Sequence, residues 1–249
     1  MKTEIVSGVN CVLEILKAKK RKVFEIYVAK GKKDITLQRI EELSRASGLS
    51  VKLLDRDGIF NLSRVEKNQG VAAKVSSFEY SSLEDILQKS TKNERGSTLL
   101  MLDGITDPQN LGALIRTAHL TGMDGIILPA NNSAPIGPAA QRASAGATEY
   151  IDIVQVTNLN RAIEMLKKEN FWVVGADSEG ENLYSYDFGS RNHLLVLGSE
   201  GKGLRRLVRE NCDHILSIPM RGCIGSFNVS VAGAIFMSEI TRQKLAKKV

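Results

Sequence analysis

The chain has 249 residues, 25% of them charged and 43% hydrophobic, with a formal net charge of +6. That length can bury one large core or two modest ones, and the composition is that of a soluble globular protein. No apolar run approaches a membrane span and Met1 to Asn10 lacks a signal-peptide core, so no membrane-spanning helix is expected and the cytoplasm is the expected compartment.

The basic excess is unevenly placed. Up to Ser76 the chain carries 16 Lys and Arg against 9 Asp and Glu, whereas the remainder is close to balanced. The first third therefore points toward a polyanion. Val9, Val12, Leu13 and Leu16 recur at helical spacing, and the basic run Lys17, Lys19, Lys20, Arg21 and Lys22 follows, where a helix dipole also favours positive charge. A strand is predicted at Val23 to Ala29, then a basic turn at Lys30, Lys32 and Lys33. A helix from Thr36 to Ser47 follows, with strands at Val51 to Leu54 and Gly70 to Val75 around a short helix near Ile59 to Leu62. The polar loop Ser63 to Gly70 holds Asn68 and Gln69, which can contact RNA or simply connect elements. Residues 1–76 thus read as one compact α/β domain. Serine-rich residues 77–97, with a single amphipathic turn at Leu83, Ile86 and Leu87, read as a partly helical linker.

From Thr98 to the end, strands and helices alternate as in a parallel sheet. Strands are predicted at Leu99 to Leu102, Gly125 to Leu128, Ile151 to Val156, Trp172 to Gly175, Leu194 to Gly198 and Ile215 to Ile218. Helices fit at Asn110 to Leu120, Ala139 to Ala145, Asn158 to Lys168, Gly203 to Val208 and Asn228 to Lys244. The last helix begins apolar nearly all round, which requires cover on more than one side; a second subunit is one way to supply it. Gly198-Ser199-Glu200-Gly201-Lys202-Gly203 ends one strand and a polar loop through Met220 ends another, and such loops are where open α/β sheets bind ligands. Cys11, Cys212 and Cys223, like His119, His193 and His214, lack the spacing of a metal site, and no metal is expected.

Three segments now stand together: Asp107-Pro108-Gln109-Asn110-Leu111-Gly112 with Arg116; Leu197-Gly198-Ser199-Glu200-Gly201-Lys202-Gly203-Leu204; and Ile218-Pro219-Met220 with Ser226-Phe227-Asn228-Val229-Ser230-Val231-Ala232. In order and spacing they closely resemble the motifs of the SpoU (TrmH-like) RNA 2′-O-ribose methyltransferases of the SPOUT superfamily. Gly8-Val9-Asn10 and Asn68-Gln69-Gly70 resemble the small L30e-like domain that precedes the catalytic domain in the 23S rRNA guanosine enzymes. Asn10 and Asn68 stand where histidine is common there, and Phe227 where leucine is usual.

The resemblance implies an α/β protein: an L30e-like RNA-binding domain, then a parallel-sheet catalytic domain over 98–249 whose C-terminal segment threads a deep trefoil knot. It implies S-adenosyl-L-methionine as cofactor, a homodimer through the knotted domain, and a ribose of 23S rRNA as target. Carried over by motif, Asn110, Arg116, Glu200, Ser226 and Asn228 are the catalytic candidates. Gly198, Ile218 and Phe227, with Leu197, Gly203 and Met220, are the cofactor candidates, and Lys19, Lys20, Arg21, Asn68 and Gln69 the RNA-binding ones. The alternatives are the same chemistry on tRNA, an rRNA resistance methylase, a non-catalytic RNA-binding protein, and a nicotinamide enzyme. For the last, the glycines run in the reverse of the dinucleotide order.

Overall fold

A computed structural model describes residues 2–31, 35–90 and 96–246. The basic turn at Lys32 and Lys33 and the charged residues 91–95 lie outside them. The chain opens with β1 (Thr3–Ser7), α1 (Val9–Ala18), β2 (Val23–Ala29), α2 (Ile35–Ala46), β3 (Val51–Leu54), α3 (Arg56–Ser63) and β4 (Val71–Ser76). It continues through α4 (Leu83–Ser90), β5 (Thr98–Asp103), α5 (Pro108–Leu120), β6 (Gly125–Pro129), α6 (Pro138–Ala143), β7 (Ile153–Val156), α7 (Leu159–Lys168) and β8 (Phe171–Asn182). It ends with β9 (Asn192–Gly198), α8 (Arg206–Glu210), β10 (His214–Ser217) and α9 (Val229–Ala246). These form two compact units, Met1–Glu79 with Pro135–Tyr150, and Tyr80–Ala134 with Ile151–Val249.

In the first unit the sheet order is β1-β4-β2-β3, antiparallel except for the parallel pair β2/β3. Val6, Val12, Ile15, Ile26, Ile40, Val71 and Val75 close a core under α1 and α2. Side chains of this kind each favour folding by about 1.5–3 kcal/mol when fully buried. Strand β1 has no counterpart among the sequence expectations, because it is short and only Ile5 and Val6 in it are apolar. Segment 135–150 also departs from expectation. The helix predicted between two strands of the parallel sheet forms as α6, but it packs with the first unit.

The second unit holds six parallel strands in the order β10-β8-β9-β5-β6-β7. Both parities along β5 and β9 are buried: Leu99, Met101, Leu194 and Val196 join one core, and Leu100, Leu102, Leu195 and Leu197 are equally inaccessible. That accounts for their unbroken apolar runs. The serine-rich stretch read as linker is partly structural here. Leu83 and Ile86, one helical turn apart on α4, enter the core, and Ser81 bridges to Val154 beside β7. A β-carbon at Gly125 would press on Ile86, so glycine there lets α4 close onto the sheet. Strand β8 runs seven residues beyond its predicted end because its polar half pairs by backbone with β10, at Leu216↔Glu181 and Ser217↔Asn182.

Candidate active site

Strand order reverses around β5 and β9, and chain leaving the carboxyl ends of such strands surrounds a crevice. A cavity of about 460 Å³ lies there, walled by the turn after β9, by Asp177 in β8, and by the segment between β10 and α9. The Ser199–Gly203 turn is closed by reciprocal backbone hydrogen bonds of 3.0 Å between its two ends. A β-carbon at Gly198 would collide with the Gly203 backbone, and Gly203 has φ +63, so the main chain itself forms this wall. The turn is tied to β5 by Asp103, buried, which accepts from the Arg205 amide (2.9 Å) and Nε (2.5 Å).

Helix α5 starts at Pro108 and is capped by Asp107, whose carboxylate accepts from the amides of Gln109 (3.2 Å) and Asn110 (3.1 Å). The Asn110 side chain is therefore not needed as a cap. Its Nδ2 donates to Glu200 Oε1 (3.0 Å), and its Oδ1 accepts from Asn228 Nδ2 (3.1 Å). Asn228 Nδ2 also donates to Glu200 Oε1 (2.6 Å), while its Oδ1 caps α9 through the amides of Ser230 (2.9 Å) and Val231 (3.4 Å). Residues 110, 200 and 228 thus converge on one carboxylate oxygen, exposed at the cavity mouth.

All six cofactor candidates, Leu197, Gly198, Gly203, Ile218, Met220 and Phe227, line the cavity, as do Glu200, Ser226 and Asn228. Arg116 does not. It is exposed on α5, six residues past Asn110, which is about 9 Å along the axis and about a third of a turn away round it. Arg116 thus shares α5 with Asn110 but is not among the residues that line the cavity. Asp177 is a lining residue that the sequence reading missed, because β8 was predicted to stop before it.

A family profile described as SpoU rRNA Methylase family matches residues 97–238, and one for RNA 2′-O ribose methyltransferase substrate binding matches residues 5–81. The chain belongs to the SpoU rRNA methylase family. It is 38% identical to the 23S rRNA (guanosine-2′-O-)-methyltransferase RlmB of Coxiella burnetii over 98% of either chain. It is 34% identical to the protein of that name from Escherichia coli K12, over 97% of this chain and 99% of that one. Among solved structures, the AdoMet-bound rRNA methyltransferase of Sinorhizobium meliloti superposes with a TM-score of 0.79 at 25% identity, covering 96% of this chain and 87% of the other.

In this SpoU family member two of the five RNA candidates are structural. Arg21 is buried: its Nε donates to the Ser76 carbonyl (2.9 Å), Nη1 to Gln141 and Glu149 (both 3.3 Å), and Nη2 to Glu4 (2.5 Å) and Ser76. A guanidinium spent on these contacts cannot reach a phosphate. Burial pushes the Glu149 carboxyl above its usual range, against the pull of Arg21. Asn68 is likewise buried and doubly used, donating to the Val65 carbonyl and accepting from the Gly70 amide (both 2.8 Å), which fixes the loop. Gln69 Oε1 accepts from the Val9 amide (2.9 Å), at a helix start where Gly8 offers no side-chain cap, but the residue remains exposed. Lys19 and Lys20 are exposed. A second cavity in this unit, lined by Lys30, Arg56, Phe60 and Gln69, was also missed. The signal available was an exposed aromatic between cations.

Proposed function

We propose that the chain transfers a methyl group from S-adenosyl-L-methionine to a ribose 2′-hydroxyl of 23S rRNA, most closely a guanosine, in the cytoplasm. The observation that carries this reading is the convergence of Asn110, Glu200 and Asn228 at the mouth of the β9 cavity, in a chain aligned end to end with the guanosine-2′-O-methyltransferases. The cavity suits the cofactor: its size is that of a small-molecule site, its glycine turn presents backbone for an adenine edge, and Ile218 and Phe227 offer apolar cover. When bound, the cofactor supplies an electrophilic methyl group on a positively charged sulfur.

The chain's own residues must align the ribose and receive the charge that develops on its oxygen. Glu200 Oε1 is held by two side-chain amides, so its second oxygen is fixed at the mouth to accept a hydrogen bond from a ribose hydroxyl. Ser226, on the same wall, can orient the sugar. Arg116 is a poor base, since guanidinium stays protonated at neutral pH. In this proposal it grips the target phosphate and stabilises the alkoxide, and the 2′-hydroxyl proton leaves to a phosphate oxygen or water. Its exposed position leaves it free for that contact. The first unit supplies affinity through Lys19, Lys20 and Gln69, with Lys30, Arg56 and Phe60 offering charge and a stacking ring for single-stranded RNA.

Pairing of two chains through α9 belongs to the same proposal. Val229, Gly233, Phe236 and Met237 are covered within the chain, but Val231 is 47% exposed and forms an open apolar groove with Ala234, Ile235 and Tyr184. Threading of the segment from Gly198 to Val229 as a trefoil is its topological part, supported by the family resemblance.

The test is label transfer from methyl-labelled S-adenosylmethionine to unmodified large-subunit rRNA and, in parallel, tRNA. Label in a ribose of the large-subunit RNA, lost in Arg116→Ala, supports the reaction and the clamp together. Label in tRNA alone overturns the substrate. No label in either overturns the enzyme.

A further inference from the structure

The cavity at the end of β9 is electrically one-sided. Among its lining residues are two carboxylates, Asp177 and Glu200, and no Lys, Arg or His. The Glu200 carboxylate is shared with amides, which orient it without neutralising it. Asp177 stands on the opposite strand, β8, one residue beyond the last β8/β9 pair, Ala176↔Leu197. Its Oδ1 accepts from the Glu179 amide (3.1 Å), which fixes the side chain. Its Oδ2 lies 3.7 Å from where a Gly203 β-carbon would be, so it faces the glycine turn. Among the described residues it pairs with Arg209, whose Nε is 3.5 Å from Oδ2 and whose side chain is 41% exposed. An ion pair that long and that open to water offsets only part of the carboxylate's charge.

We propose that Asp177 reads the charge of the bound cofactor and sets the preference for the methylated form over the spent one. This rests on the cofactor reading above and deepens it. S-adenosylmethionine carries a sulfonium, an ammonium and a carboxylate, net +1. Transfer of the methyl group leaves the bonding electron pair on sulfur, and the resulting thioether, S-adenosylhomocysteine, is net neutral. The two ligands have nearly the same shape, so a pocket that recognises only shape binds them alike. A negative side chain in a cavity without cations attracts the first by a term that the second lacks. The consequence is a site that takes up fresh cofactor and lets go of product. Arg209 moderates that preference from outside the cavity.

The test is calorimetric titration of the full-length protein with S-adenosylmethionine, S-adenosylhomocysteine and sinefungin, which has carbon in place of sulfur and carries its positive charge on an amine in place of the methyl group. In wild-type protein the two cations bind more tightly than the thioether. Asp177→Asn, nearly isosteric, lowers affinity for both cations by about tenfold at low salt and changes that for the thioether by no more than about twofold. Arg209→Gln, which removes the moderating charge, raises the preference for the cations. An equal loss for all three ligands in Asp177→Asn assigns the residue to shape alone and overturns the proposal. So does a preference unmoved in either variant, and Arg209→Gln decides it should Asp177→Asn fail to fold. Wild-type protein that binds none of the three defeats the cofactor reading itself, which is a different result.

Discussion

Two polar clusters of this chain have similar ingredients and opposite surroundings. Around Arg21, a guanidinium meets Glu4, Gln141, Glu149 and a backbone carbonyl, and nearly all of it is closed to water. Around Glu200, two side-chain amides meet one carboxylate in the open. The first cluster satisfies itself: each buried donor finds an acceptor, as burial demands. The second gathers its bonds on one oxygen of an exposed carboxylate and contributes little to stability by them. Residue type in the sequence does not separate the two. Exposure does, and with it the assignment of one as scaffold and the other as chemistry.

Removing a member of the closed cluster should act on folding. Arg21→Ala leaves Glu4 and Glu149 without the guanidinium that joins them, and denaturant melts are expected to show a loss of about 3–5 kcal/mol. A loss under about 1 kcal/mol, with RNA affinity reduced instead, would return Arg21 to the RNA surface and dissolve the contrast.

The distinction should follow burial rather than unit, and His193 at the start of β9 provides the check. It is fully buried, its Nδ1 lies 3.0 Å from the Arg191 carbonyl, and burial holds the imidazole down to about 4 from its ordinary 6.5. Below pH 6.5 the unfolded chain gains a proton there that the folded chain takes up only near pH 4. Unfolding therefore gains about 3 kcal/mol as pH falls through that window. Stability measured against pH should be flatter over this range in His193→Phe, and an unchanged slope rules out this residue as the source.

At the open cluster the expected loss is in turnover. Asn110→Ala removes one donor from Glu200 and one acceptor from Asn228, so methyl transfer should fall by about 100-fold, or 2–3 kcal/mol of transition-state binding. The melting temperature should stay within a few degrees, and a large drop would class Asn110 with Arg21. The smallest effect is expected one turn earlier: Asp107→Ala deletes the cap of α5 at a cost of about 1 kcal/mol, read from thermal melts. Its activity loss should be milder than that of Asn110→Ala, because the cap positions the helix and not the carboxylate.

The central strands β5 and β9 were legible in the sequence because burial of both faces leaves an unbroken apolar run, while β2 and β3, only partly buried, were legible from β-branched and aromatic residues bounded by polar turns, with identical bounds at Val23–Ala29 and Val51–Leu54. What backbone pairing alone decides was not legible: the polar half of β8, and with it Asp177, has no hydrophobic signature. Hydrogen-bonding appetite was misleading in both directions. Asn68 and Arg21 looked like ligands for RNA and are engaged at home, whereas Asn110 at the start of its helix is left free of capping by Asp107 and turns to Glu200. The glycine turn at 198–203 was legible as a ligand wall, since the same two glycines that permit the backbone to close leave no side chain in the way.

The return of residues 135–150 to the first unit means that the chain passes between units three times, near residues 79, 134 and 150. A gene cut before residue 97 would therefore not release a finished catalytic half. It would strand a sixteen-residue patch of the other unit, with Gln141 and Glu149 stripped of Arg21 and Glu4 and with Ala140 and Ala147 bared to water. Descent by swapping whole front ends is correspondingly hard for this chain, because any replacement must arrive with a surface that fits an insert encoded far downstream.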